Sequence, residues 1–169
     1  MVYLFILFGI FCRLIPHLPN VTPVAAIALF GGAYLDKRAA LVVPLIIMII
    51  SDLVIGLHPL VLYIWGSFLL TVFIGLWLKD HRTVPNIIGA SFLSSFIFFL
   101  VTNFGVWATP SSWYPHTWQG FINCYVMAIP FFRNTILGDV CYVALFFGLY
   151  ELAQLAAARI RSAKRFTIV

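Results

Sequence analysis

The sequence predicts an all-α integral membrane protein with about six transmembrane helices and a short cap helix at the outer face. Three observations predict this fold class: 63% of the 169 residues are apolar, only 9% are charged, and the mean hydropathy is +1.07. A water-soluble domain usually carries about 25% charged residues. Spans of about 20 residues leave little room for anything else, so we expect residues 1–169 to form a single transmembrane domain.

Apolar runs between prolines, glycines and charged residues give the positions of the six segments. The first has no basic region before it and no small-residue cleavage site, so we interpret it as a membrane helix rather than a cleaved signal peptide. The second is too short to cross a hydrocarbon core of about 30 Å, and we expect neighbouring helices to cover it. The segments are predicted at residues 2–16, 23–36, 39–57, 59–79, 86–108 and 134–159.

A different stretch separates the fifth and sixth segments. Residues 109–120 form a predicted loop rich in Trp, Tyr, Pro and Ser, and residues 121–132 form a predicted short helix that Pro130 interrupts. Because Trp and Tyr favour the membrane–water interface, we expect this stretch to lie as a cap across the outer end of the bundle.

Basic residues predict the orientation of the chain. Arg13 and Arg133 are the only Lys or Arg residues expected on the outer side when the amino terminus is cytoplasmic. This asymmetry follows the positive-inside rule and places both termini in the cytoplasm. We therefore interpret the net charge of +5 as a topology signal and expect no nucleic-acid partner. The basic residues expected inside are Lys37, Arg38, Lys79, Arg82, Arg159, Arg161, Lys164 and Arg165.

Polar and aromatic side chains gather at the outer end of the predicted bundle. Asp52 lies about five residues from the outer end of the third segment, and Asp139 about five residues from the outer start of the sixth. At about 1.5 Å per residue, both carboxylates are expected roughly 7–8 Å below the same surface. Charged groups at such depth are costly and usually paired or functional. The candidate ligand-binding residues are Arg13, His17, Asn20, Asp52, Asn103, Trp107, Trp113, Tyr114, Trp118, Asn123, Arg133, Asn134 and Asp139.

Two interpretations of this cluster remain open from the sequence. In the first, the aromatic side chains wall a small-molecule pocket and the charged groups fix the polar atoms of the ligand. In the second, Arg13 and Arg133 pair with Asp52 and Asp139 and join helices without any ligand. Ala28 and Gly32, four residues apart, favour close helix packing, either within the bundle or against another subunit.

Catalysis has less support in the sequence. We find no Gly-x-Ser-x-Gly elbow and no phosphate-binding glycine loop. The histidines have no metal-ligand spacing, so we expect no metal and no cofactor. Cys124, His116 and Arg133 form the only constellation that resembles a cysteine transferase. The alternatives to solute binding are therefore an enzyme that acts on a lipid or envelope precursor, or a structural membrane protein.

Four motifs, distributed along nearly the whole chain, together resemble the signature of a protein family. They are PHLPNVTPVAAIALFGGA at residues 16–33, Pro44 followed by SDL at 51–53, TNFGVW at 102–107, and PFFRNTILGD at 130–139. With these motifs the chain resembles an uncharacterised family of the bacterial inner (cytoplasmic) membrane. The resemblance implies the location but no function.

The short second segment with Ala28 and Gly32, and an Asp near the outer end of the third, give a more distant resemblance. In size and six-span plan the chain resembles the S components of energy-coupling factor transporters. The resemblance implies a substrate-binding subunit for uptake of a small solute, such as a vitamin or related nutrient. It also implies a membrane scaffold subunit with ATPases as partners. The chain lacks the N-terminal Met-His feature of the nickel and cobalt S components, which argues against those metals.

Overall fold

The computed structural model describes residues 2–166, with side chains described through Arg161. Lys164, Arg165 and the carboxyl terminus, which the sequence places in the cytoplasm, lie outside the described side chains. Within the described range the chain is all helical, in agreement with the predicted class. The helices are α1 (Val2–Leu14), α2 (Val24–Tyr34), α3 (Lys37–Ile55), α4 (Val61–Leu78), α5 (Val84–Ala108) and α6 (Trp118–Phe166).

The number of membrane-spanning helices is lower than the sequence predicts. Of the described helices, four (α3, α4, α5 and α6) are long and apolar enough to cross a membrane. With 13 and 11 residues, α1 and α2 reach only about 20 Å and 17 Å at 1.5 Å per residue. The expectation of six full spans is therefore wrong. The proline-rich stretch from Pro16 to Pro23 ends α1 and delays α2, so neither helix reaches the length of a span.

Helix α2 occupies the centre of the bundle. It packs against all five other helices, and the ten residues from Val24 to Ala33 are all buried. Side chains are enclosed on every face of α2, as expected for a helix that is apolar all round. The covering of the second segment by neighbouring helices, expected from its length, is thus present in the structure.

Two glycines allow α2 and α4 to approach closely. A Cβ atom on Gly32 would lie 2.5 Å from the backbone carbon of Gly75, and one on Gly75 would lie 2.5 Å from the carbonyl oxygen of Leu29. Those distances are too short for any side chain, since the neighbouring atoms belong to backbone. Ala28 and Gly32 are both buried in this contact, so they serve packing within the bundle.

Polar side chains fix the starts of two of the long helices. Asp36 precedes α3, and its carboxylate accepts hydrogen bonds from the backbone N–H groups of Arg38 and Ala39, both at 3.0 Å. Thr83 precedes α5 and accepts from the N–H of Asn86 at 3.4 Å. Such caps satisfy N–H groups that lack a partner in the first turn of a helix.

The cap helix predicted at residues 121–132 is not a separate element. Helix α6 runs for 49 residues from Trp118 to Phe166 and contains Pro130 in its interior. A proline removes one backbone hydrogen bond, but a helix can continue through it where neighbouring helices support the segment. Its first part packs against α5, for example through the ring of Tyr125, 5.5 Å from that of Phe99. The predicted start of the sixth helix at residue 134 is therefore wrong.

The outer surface of the bundle is largely apolar. Exposed side chains on α3, α4 and α5 include Leu53, Val54, Phe73, Phe92 and Phe96, each more than 45% exposed. Apolar side chains can face lipid at no cost, whereas in water they would form an unusually large patch. Together with the length and hydropathy of four helices, this identifies a membrane protein. The inner membrane and the cytoplasmic termini stay predictions.

Candidate ligand-binding site

One charged pair joins the end of α1 to the end of α3. The guanidinium of Arg13 forms an ion pair with Asp52, and its Nε donates to the hydroxyl oxygen of Ser51 at 2.6 Å. The indole N–H of Trp65 donates to the second carboxylate oxygen of Asp52 at 2.8 Å. Asp52 is only 1% exposed. Both carboxylate oxygens of Asp52 accept hydrogen bonds and its charge is balanced by Arg13, so a ligand is not required to satisfy it.

Asp139 has a different environment. It is 2% exposed, and its Oδ2 accepts a hydrogen bond from the hydroxyl of Ser95 at 2.6 Å. Among the described residues no cation pairs with it, and no hydrogen bond reaches its Oδ1. Arg133 is exposed and does not pair with Asp139, because residues six apart on one continuous helix lie about 120° apart around its axis.

Asp139 lies farther from the start of its helix than the sequence predicts, whereas Asp52 lies near the end of α3 as expected. Asp52 is three residues from the end of α3 at Ile55. Asp139 lies opposite Ser95, which is 13 residues from the end of α5 at Ala108, or about 20 Å at 1.5 Å per residue. The early start of α6 at Trp118 explains the difference, since it places Asp139 in the middle of the helix.

Arg13 and Asp139 both line a cavity of about 360 Å³. This volume lies in the range of small-molecule sites, about 300–1,000 Å³. Polar groups meet apolar walls in it, as is typical of such sites. Its lining residues are Arg13, His17, Asn20, Thr22, Ala25, Ile55, Ile64, Phe68, Phe98, Thr135 and Asp139.

The loop between α1 and α2 forms one wall of this cavity, which we call the Asp139 cavity. Asn20 adopts a left-handed backbone conformation with φ of 65°, which Asn tolerates better than most residues. Beside the carboxylate, Gly138 allows close approach of the loop, since a Cβ there would lie 3.2 Å from the Cα of Val21. The same loop carries His17, Asn20 and Thr22, which line the cavity together with Asp139.

A smaller neighbouring cavity of about 270 Å³ contains Asn103. The two cavities share Asn20, Ile64, Phe98 and Thr135 as lining residues. The amide of Asn103 already donates to the carbonyl of Phe99 at 2.7 Å, which leaves its side-chain oxygen as an acceptor.

The predicted aromatic wall lies away from the Asp139 cavity. Trp107 donates to the carbonyl of Pro115 at 3.1 Å, and Trp113 is 96% exposed beside a separate surface pocket that Tyr114 also lines. Trp118 is 75% exposed and stacks on Phe121. Trp107 lies in the last turn of α5, about 13 Å beyond Phe98 along the helix. Trp113, Tyr114 and Trp118 follow it in the chain. Loop and cavity therefore lie at different levels.

The remaining candidates also lie outside the cavity linings. Asn123 is exposed and accepts a hydrogen bond from Gln119 at 3.1 Å. Arg133 is exposed and Asn134 is partly buried. Of the 13 residues singled out in the sequence, the structure brings Arg13, His17, Asn20 and Asp139 into one cavity. It places Asp52 behind Arg13.

Several residues of the cavity are missing from the sequence-based set. Phe68 and Phe98, with ring centroids 5.4 Å apart, replace the expected Trp and Tyr side chains. Thr135 also lines the cavity, and Ser95, which lies outside the lining, donates a hydrogen bond to the carboxylate of Asp139. The serines at 91, 94 and 95 interrupt an otherwise apolar segment of the sequence. They could have indicated polar groups at this position in the bundle, because buried hydroxyls in a membrane span usually have a partner.

The constellation for a cysteine enzyme does not form. The thiol of Cys124 is 2% exposed and donates to the carbonyl oxygen of Asn103 at 3.5 Å. His116 contacts the carbonyl of Thr109 at 3.3 Å and the ring of Trp107. A reactive thiol needs a nearby base or cation and some exposure. No group of three His, Cys, Asp or Glu residues suited to a metal occurs in the described part of the chain.

Comparison with known proteins gives one match. A protein-family model described as a family of unknown function (DUF6580) matches residues 1–162. No curated protein and no solved structure shows a significant match to the chain.

Proposed function

This chain belongs to the DUF6580 family of unknown function, and we propose that it is a membrane protein that binds a small solute in the Asp139 cavity. The observation that carries the proposal is Asp139 itself. A carboxyl group that is 2% exposed, with only a hydroxyl as partner in the described structure, is costly to bury. A ligand that completes its hydrogen bonds removes much of that cost.

The size and lining of the cavity support the same function. A volume of about 360 Å³ suits a compound with a single ring or two fused rings. Phe68, Phe98 and Ile64 supply apolar contacts, while Asn20 and Thr135 supply hydrogen-bonding groups. A purely structural cluster needs paired charges but no cavity, so this interpretation has less support.

We further propose that the solute is taken up, with the chain as the substrate-binding subunit of an S-component-like transporter. The described chain has no nucleotide-binding motif, so energy would come from a membrane scaffold subunit with ATPases. The scaffold would not bind through Ala28 and Gly32, because both are buried against α4. Its contact would instead use the exposed apolar faces of the longer helices.

Native mass spectrometry of the protein purified in mild detergent from its own host tests the proposal. We expect a stoichiometric small-molecule adduct on the wild-type chain. Asp139→Asn should lose it, while Asp80→Asn, a matched change at an exposed carboxylate, should keep it. An adduct of equal occupancy in all three proteins would place the ligand elsewhere. Uptake of the identified compound by the host should fall with Asp139→Asn.

A further inference from the structure

We infer that the ligand of the Asp139 cavity is an organic cation, with an amidinium, guanidinium or ammonium group that binds the carboxylate of Asp139. The inference rests on the proposed function and adds the chemical class of the solute. It follows from the balance of charges around the cavity, the balance of donors and acceptors, and the apolar walls.

Among the charged groups that line the cavity in the described structure, the carboxylate of Asp139 has no cationic partner. Arg13 lines the cavity, but its charge is already balanced by the ion pair with Asp52. His17 lies at the exposed rim, where its Nδ1 is 2.9 Å from the carbonyl of Leu18. Asp139 is the remaining titratable group of the lining. A ligand with one positive charge would neutralise it, whereas an anionic ligand would add a second uncompensated charge.

Hydrogen-bonding groups on the same side of the cavity are mainly acceptors. The hydroxyl of Ser95 lies 2.6 Å from the Oδ2 of Asp139 and 3.1 Å from the carbonyl oxygen of Ser91, so its single proton has acceptors within the protein. Thr135 can use its own proton on the carbonyl of Phe131 at 3.0 Å. Each hydroxyl has one proton and two lone pairs. The Oδ1 of Asp139 and the oxygen of Thr135 are therefore open to N–H donors. A ligand that presents several N–H groups in one plane fits this arrangement, since charge-assisted bonds are the strongest.

The apolar residues of the lining favour an organic cation over a metal ion as the ligand. Metal cations of the hard class take about six or more oxygen ligands, and the cavity offers one carboxylate beside aromatic and aliphatic walls. Phe68 and Phe98 lie with ring centroids 5.4 Å apart and planes tilted by 38°. Aromatic faces attract organic cations and also bury the body of the ligand.

Three nearly isosteric probes test the sign of the charge: benzamidinium, benzamide and benzoate. Each is added to the full-length protein in mild detergent, and the thermal unfolding midpoint is measured as a function of probe concentration. We expect benzamidinium to raise the midpoint with an apparent affinity about tenfold or more above that of benzamide. Benzoate should have no effect at the same concentrations.

Matched variants locate the response. Asp139→Asn should abolish the benzamidinium shift, and Asp80→Asn should preserve it. If Asp139→Asn does not fold, Thr135→Val takes its place, because it removes an acceptor next to the carboxylate without changing charge, and the shift should weaken. A benzamidinium shift that is unchanged in whichever of the two cavity variants folds would overturn the inference.

The outcomes separate the inference from the proposed function. Stronger stabilisation by benzoate or benzamide, sensitive to the same variants, would overturn the cationic class while leaving a solute site at Asp139. No shift with any probe, together with no adduct in native mass spectrometry, would overturn both. A shift confined to benzamidinium and lost with Asp139→Asn is the result that we expect.

Discussion

Arg13 and Asp52 form an ion pair that joins the last turn of α1 to the last turn of α3. Asp52 is nearly inaccessible, so its stability depends on keeping a donor at each oxygen. Because the positive charge of Arg13 is neutralised by Asp52, it does not neutralise Asp139. The same contact thus fixes α1 on the bundle and leaves the second carboxylate available to a ligand.

The first prediction concerns this pair. Arg13→Leu should lower the free energy of unfolding in mixed micelles by about 3–5 kcal/mol, because it leaves a buried carboxylate without its cation. The donor from Trp65 should keep the loss near the lower value. The double variant Arg13→Leu/Asp52→Leu should regain most of the stability, since no buried charge remains. Equal losses in the single and double variants would contradict a coupling between the two residues.

The second prediction concerns the contact between α2 and α4. Gly75→Ala should destabilise the protein by about 1–3 kcal/mol or more, because its Cβ would lie 2.5 Å from the backbone oxygen of Leu29. Gly66 on the same helix is the matched control. A Cβ there meets no atom within 4 Å, so Gly66→Ala should be neutral or stabilising by up to about 1 kcal/mol. Circular dichroism during thermal unfolding gives both values.

The third prediction compares two buried serines on α5. The hydroxyl of Ser91 has no hydrogen-bond partner in the described structure, whereas that of Ser95 donates to Asp139. Ser91→Ala should therefore preserve or raise stability, while Ser95→Ala should lower it by about 1–3 kcal/mol. The opposite order of the two unfolding midpoints would contradict the assignment of the Asp139 hydrogen bond.

The fourth prediction concerns orientation. In a variant without the three native cysteines, Ser112→Cys lies in the loop after α5 and Asp80→Cys lies at the end of α4. The positive-inside distribution predicts that a membrane-impermeant maleimide labels Ser112→Cys in intact spheroplasts, and Asp80→Cys only after the membrane is permeabilised. The reverse pattern would invert the topology and place the Asp139 cavity nearer the cytoplasm.

Composition and periodicity were sufficient to predict the helical membrane class and the helix positions at α3, α4 and α5. They failed around Pro130, where a short helix at residues 121–132 and a separate sixth helix from residue 134 were predicted, because support from neighbouring helices decides whether a chain continues through proline. That error made the predicted sixth helix too short and placed Asp139 close to its start. The length of α1 and α2 was overestimated for a related reason, since hydropathy alone cannot locate the irregular backbone near Pro16 and Pro23.

The candidate site was predictable only in part. Rare charged residues such as Arg13 and Asp139 stand out in an apolar chain, so position and charge are enough to single them out. Phe68 and Phe98 do not stand out, because 17 phenylalanines occur in the sequence and only the packing shows which of them face a cavity. Trp113 and Trp118 were predicted as ligand-binding residues because aromatic side chains are concentrated in their segment, but that segment lies beyond the level of the cavity.

An experimental structure of the protein purified from its own host would show whether the Asp139 cavity holds a small solute. A crystal structure from lipidic mesophase at a resolution that shows ordered water would suffice. We predict non-protein density in the cavity, against the side chains of Phe68 and Phe98, with a polar atom within hydrogen-bond distance of Asp139. A cavity closed by side chains, with Asp139 paired to a cation of the protein itself, would contradict the proposed solute binding.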